Sequence, residues 1–133
     1  FIKAWNEHSS TPTVDGQRSR AIGQIPISWD PDRDKAIERA HDQFRWFAGG
    51  WDVNADLRTT AGFAAATQFV TPDDVAGNIP CGSDLDQIVE AVKPFWKAGF
   101  TDIALVQIGG DTQDAFLRDA APELLEKLRA ASN

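Results

Sequence analysis

The spacing of apolar residues changes several times along this chain, and each change marks an element. Phe1, Ile2, Ala4 and Trp5 have the spacing of the last turns of an amphipathic helix. The stretch Ser9–Arg20 is polar, with Pro12 and Asp15-Gly16, and reads as a connecting loop. Ala21–Ile27 is mostly apolar and β-branched, which predicts a strand. Pro26 has no amide hydrogen, so pairing there must be broken or one-sided. Asp30-Pro31-Asp32 then predicts a helix start, with Asp30 as cap, Pro31 in the first turn and acids at the positive end of the dipole. Ile37, Ala40, Phe44 and Phe47 continue at spacings of three and four as far as about Ala48, before Gly49-Gly50 stops the helix.

From Trp51 to Thr60 no period holds, which predicts a loop, and Ala61–Phe69 is an alanine-rich short helix. Together, residues 49–70 form a predicted lid or insertion. Thr71-Pro72-Asp73-Asp74 is a helix start with a capping hydroxyl, a first-turn proline and an acid three residues on. Ile79-Pro80-Cys81 is a very short strand candidate, and Ser83 is the expected cap of the next helix. That helix carries Leu85, Ile88, Val89, Val92, Phe95 and Trp96 inward, contains Pro94 as a predicted kink, and closes at Ala98-Gly99. Ile103-Ala104-Leu105-Val106 is an unbroken apolar run of the kind found in parallel strands covered on both faces. After Gly109-Gly110-Asp111, Phe116, Leu117, Ala120, Leu124, Leu125 and Leu128 form a helical stripe that Pro122 splits in two.

Strands alternating with helices place the chain in the α/β class, with about three parallel strands and flanking helices. Residues 79–108 have the length of one βαβ unit with a right-handed crossover. So small a sheet has two edges of unpaired amide and carbonyl groups, and it needs a neighbour.

Composition narrows the functions. With 133 residues the chain is long enough for one domain with a core of its own. The formal charge of −7 repels nucleic-acid phosphates and anionic membranes, so neither is an expected partner. One cysteine, Cys81, allows no internal disulfide, and no apolar run reaches the roughly 20 residues of a membrane span. The expected location is the cytoplasm. The opening on Phe1 rather than Met, in the middle of a helical pattern, predicts that more chain precedes it.

Several segments together resemble a known family. Pro80-Cys81-Gly82-Ser83-Asp84, Ile88-Val89-Glu90-Ala91-Val92 and Ala98-Gly99-Phe100-Thr101-Asp102-Ile103 are similar to the last two βα units of luciferase-like flavin and F420 enzymes. Ile27–Asp32, Thr71–Ala76, Val106–Asp111 and Phe116-Leu117 flank them in the same pattern. The resemblance is to the F420-dependent subgroup that contains glucose-6-phosphate dehydrogenase, over nearly the whole chain except 49–62. It implies that residues 1–133 are a carboxyl-terminal portion of a (β/α)8 TIM barrel using F420, with FMN as the alternative, for hydride transfer with a small organic molecule. It also implies that the acid–base groups and most cofactor contacts lie in an earlier part of the barrel. No catalytic residue is therefore assigned here, and the chain alone is expected to be inactive without its amino-terminal half; its expected partner is that half or another copy of itself. The sugar-phosphate enzymes of the subgroup present cations just before the seventh strand and from a mobile segment. Here Ala76–Pro80 has none, Asn78 stands at the matching position and Arg58 is the one candidate in the segment, which disfavours glucose 6-phosphate.

Barrel enzymes work at the carboxyl ends of their strands, which nominates Ser28 and Trp29, Cys81–Ser83 and Gln107–Asp111. The cofactor- or substrate-lining candidates are Trp46, Gly49, Gly50 and Trp51 in the lid, where an indole can stack on a flat ring, and Asn78. Packing is the plainer role for both tryptophans. Gly109-Gly110 could admit a ligand to the backbone and Gly82-Ser83 could bind an anion, against plain turn and cap roles. Cys81 reads as a small buried hydrophobe, and His8 and His41 as surface residues. No metal-ligand spacing occurs. The competing reading, from a different class, is a non-catalytic assembly module whose open strand edges and aromatic faces pair with another chain, giving an oligomer.

Overall fold

The computed structural model describes Lys3, Ala4, Glu7 and residues 20–132. Lys3, Ala4 and Glu7 carry helical backbone. The rest of the expected terminal helix, its His8 and the loop up to residue 19 lie outside the described residues.

Strand β1 (Ile22–Ile27) pairs in parallel with β2 (Asp102–Gln107), from Ile22 opposite Asp102 to Ile27 opposite Gln107. The expected third strand shrinks to one parallel bridge, Ser28 with Cys81. Backbone polarity fixes the order. Ile27 turns its carbonyl to Ile108 N–H at 2.9 Å, whereas Ser28, the next residue, bonds Pro80 O at 2.9 Å and Gly82 N–H at 3.0 Å. Successive residues of a strand point their polar groups to opposite edges, so β1 lies between β2 and the segment at Cys81. The two strands of the expected 79–108 unit are therefore not neighbours. Pro26 shares the edge of Ser28, so its missing N–H costs no bond to β2 and the pairing is one-sided.

Helix α1 (Arg33–Phe44) follows β1, and a 3₁₀ turn occupies Arg45–Gly49. The helix starts later than its sequence suggests, because Asp32 rather than Asp30 is the cap, accepting from Asp34 N and Lys35 N. It also ends at Phe44, short of Ala48. The predicted loop at 51–60 is largely helical, with α2 (Gly50–Asp56) and α3 (Thr60–Ala66) joined by a short link. Neither buries a residue, which is why no apolar period announced α2. Thr59 caps α3, and α4 (Pro72–Ala76) begins with the full reciprocal capping box of Thr71 and Asp74.

Helix α5 (Leu85–Ala98) is capped by Asp84, not Ser83, runs on through Pro94, and ends at Gly99, whose φ of 96° is left-handed. A 3₁₀ turn at Gly110–Thr112, α6 (Gln113–Asp119) and α7 (Ala121–Ala131) complete the chain.

The odd positions Ile25, Ile27 and Trp29 join Val89, Val92, Phe116 and Leu124 of α5–α7 in the larger core, with Ile103 and Leu105 against it. A second cluster holds Ala36, Ala40, Val75, Ile79, Cys81 and Ile108. On the even side Ile22 is 60% exposed and Gln24 and Ala104 are exposed, so the expectation that both faces are covered fails there. No helix among the described residues is long and apolar enough to cross a membrane.

Candidate functional site

At the carboxyl ends of the strands the polar groups are spent on one another. Gln107 accepts from Trp29 N and donates to Trp29 O, both at 2.9 Å, and also donates to Thr112 Oγ1 at 2.9 Å. Ser28 Oγ donates to Ala36 O at 2.7 Å. Arg39 reaches back from α1 to pair with Asp30, with both side chains largely buried, and its Nη1 lies 3.4 Å from Trp29 O. Burial alone would raise the Asp30 carboxyl, but the Asp32 N–H, the Arg39 bond and the charges of Arg39 and Lys35 outweigh it and leave it below the usual range.

The glycines here make room for arginine side chains. A Cβ on Gly109, where φ is 92°, would lie 2.5 Å from Arg39 Cδ, and one on Gly82, φ 105°, 3.1 Å from Arg33 Cγ. Gly82 N–H is bonded to Ser28 O, so it is not available to an anion. Gly110 alone of these has open space, with nothing within 4 Å of a Cβ. Cys81 is buried, and burial pushes its thiol up to about 11 although Arg33 and Arg39 pull the other way. His41, expected on the surface, is half-buried, with Nε2 2.8 Å from Val70 O; it ties α1 to the segment entering α4. Among the described residues no group of three or more His, Cys, Asp or Glu side chains could hold a metal.

A cavity of about 470 Å³ lies elsewhere, lined by Trp46, Phe47, Gly50, Trp51, Asn54, Ala55, Phe63 and Asn78. Trp46 is its fixed wall, with ring centroids 5.2 Å from Phe44, 6.0 Å from Phe47 and 6.3 Å from Phe63. Trp51 stands 82% exposed. Asn54 Nδ2 donates to Trp46 O at 3.0 Å, while its Oδ1 is buried without a partner. Asn78 Nδ2 donates to Asp74 O at 2.8 Å, finishing α4.

Four of the five lining candidates, Trp46, Gly50, Trp51 and Asn78, thus come together around one space, and Gly49 sits beside it against Asn54. They are gathered on the helix-to-strand side. Asn78 precedes Cys81 on the short strand segment, and Trp46 and Phe47 follow the end of α1. From Ala36, which Ser28 holds, to Phe47 the helical rise amounts to roughly 16 Å at ~1.5 Å per residue. Arg58 is exposed and does not line the cavity, which has no charged wall. Sequence reasoning missed Arg39, Asn54 and Phe63. Only Phe63, a lone aromatic in an alanine run, carried a signal.

No protein-family model and no curated protein matches the chain. Among solved structures, an F420-dependent secondary alcohol dehydrogenase in complex with an F420–acetone adduct shares its fold, with a TM-score of 0.62 and 22% identity over 97% of this chain. The chain spans 37% of the length of that dehydrogenase. It therefore carries part of the fold of that larger α/β protein.

Proposed function

We propose that this chain is the carboxyl-terminal portion of a luciferase-like (β/α)8 oxidoreductase that exchanges a hydride between F420 and a small organic substrate. In this reading it is not catalytically complete without the preceding part of the barrel. The observation that carries the reading is the fold shared along 97% of the chain with a dehydrogenase that holds F420. The exposed even positions Ile22, Gln24 and Ala104 agree with it, since in this reading further protein covers that end of the sheet.

The residues present do not by themselves fit the cofactor. At the strand ends, where barrel enzymes work, Ser28, Gly82 and Gln107 are bonded internally, and Arg39 is neutralised by Asp30. Among the described residues this leaves Arg33, beside Gly82, as the cation at the strand ends outside these bonds, which is not a donor set for an anionic cofactor, and no catalytic step is assigned to this chain. Its contribution in this reading is support: Trp29 tilted against Phe116 in the core at 6.1 Å, beneath the strand ends, with open backbone at Gly110.

Quenching of F420 fluorescence tests the reading. The chain joined to the amino-terminal part of its parent should bind F420, and the chain alone should not. A parent that binds FMN instead, or neither, would overturn it. The same exposed face would also serve a second copy of the chain. A defined dimer in sedimentation, from a parent without affinity for either cofactor, would favour that assembly reading.

A further inference from the structure

We propose, resting on the barrel reading, that the β1–β2 pairing is a closed form of the separate chain, which completion of the barrel opens by moving residues 79–82 in between the two strands. A (β/α)8 barrel sets consecutive strands side by side, so β1, the segment at Cys81 and β2 would stand in chain order. Here β1 holds both neighbours itself. Ile27 O takes the N–H of Ile108 on one edge, while Ser28 bonds Pro80 O and Gly82 N–H on the other.

Helix α1 records the same order through its side chains. Arg33 lies against Gly82, Ala36 O accepts from Ser28 Oγ, and Arg39 lies against Gly109. Three helical residues rise ~4.5 Å, close to the ~4.8 Å between neighbouring strands, so α1 crosses the three strand ends in the order 82, 28, 109. Ser28 is an even position, which puts α1 on the side opposite α5–α7. A barrel carries all its helices outside. With α5–α7 as the exterior, α1 therefore lies on the side that becomes the interior. The connection from residues 79–82 to β2 runs over the exterior through α5, and its right-handed sense gives the direction in which successive strands follow. In that direction residues 79–82 belong between β1 and β2, and the edge of β1 they now hold belongs to the preceding strand. Two features favour the closed form while that strand is absent. Ladder pairing runs the length of β1, and Pro80, which has no N–H, is kept out of a central position.

Gln24 and Ala104 are register partners on the exposed even side. Paired residues stand about 5 Å apart on neighbouring strands and about 10 Å apart across an intervening one. With Gln24→Cys and Ala104→Cys, a bis-methanethiosulfonate of one-carbon span should link the pair in the chain alone, with a yield at least about tenfold lower in the parent. Should the substitutions unfold either protein, the backbone NOE between β1 and β2 in the unsubstituted one reads the same distance. No link in the chain alone overturns the closed form. A parent that links as readily as the chain overturns the exchange, whether or not it binds F420. A parent that neither links nor binds F420 upholds the exchange and counts against the cofactor reading alone.

Discussion

Gln107 holds Trp29 by both of its backbone groups, accepting from N–H and donating to C=O at 2.9 Å each. A side chain thereby copies the bonding of a neighbouring strand and carries the bonding along this edge two residues past the end of β1. Both residues are buried, so water has no access to the bonds. Gln107→Leu keeps the volume and removes both partners, and should cost about 2–4 kcal/mol. Urea unfolding should show a lower midpoint at unchanged slope. An unchanged midpoint would mean the bonds carry no net stability.

Gly109 and Arg39 are coupled by shape. An alanine at 109 meets Arg39 Cδ at 2.5 Å and also sits at φ 92°, which together should cost about 1–3 kcal/mol. With Arg39→Ala in the background the steric part vanishes and the backbone part stays. A double-mutant cycle on stability should therefore give a non-zero coupling, and additive losses would refute the clash.

Asp102 makes the fold sensitive to acid. Its bonds from Arg20 and Thr101 hold its carboxyl down at about 2, against an ordinary value near ~3.9. A depressed folded value means the contribution is full above about pH 4 and is lost as pH falls through about 2. Asp102→Asn should be less stable than wild type at pH 5, and the gap should narrow as pH falls toward 2 and close below it. A gap that stays constant across this window would show that the ion pair adds nothing.

Cys81 should be inert in the folded chain. With its thiol at about 11, thiolate at pH 8 is roughly a hundredfold scarcer than for an exposed cysteine, and the buried sulfur is also shielded. Labelling by a disulfide reagent should be slow in buffer and fast in urea. Fast labelling in buffer would place the thiol at the surface.

Local chemistry was legible in the sequence, and long-range order was not. The Thr71–Asp74 box, Gly99 and the apolar stripes of α1, α5 and α7 declare themselves within one or two turns. Asp30 misled because its carboxylate is claimed by Arg39 nine residues on, which passes the cap to Asp32. Helix α2 left no apolar trace, since it is held by Asn54 on Trp46 O rather than by a buried stripe. The position of β1 between Cys81 and β2 depends on which edge Pro26 blanks, a matter of pairing that spacing cannot encode. Trp46, Gly50 and Trp51 were nominated together as lid residues, and Asn78 from the family resemblance. That they share a cavity became visible only once α4 was packed beside α1, and Asn54 had no signature at all.

The distance between the paired strands also sets a timetable. Ala21 donates its N–H to Thr101 Oγ1 and accepts from the same hydroxyl at its carbonyl, 80 residues later. At the roughly 5–20 residues per second of synthesis, β1 is made some 4–16 seconds before its partner strand exists. During that interval Ile25 and Ile27, later among the most enclosed side chains of the molecule, have no sheet to enter. Whatever shields them on the ribosome, whether chain already made or a chaperone, must be released when Ile103–Val106 emerge. The yield of folded protein in the cell should therefore depend more on the speed of translation through 28–101 than on the stability of the finished fold.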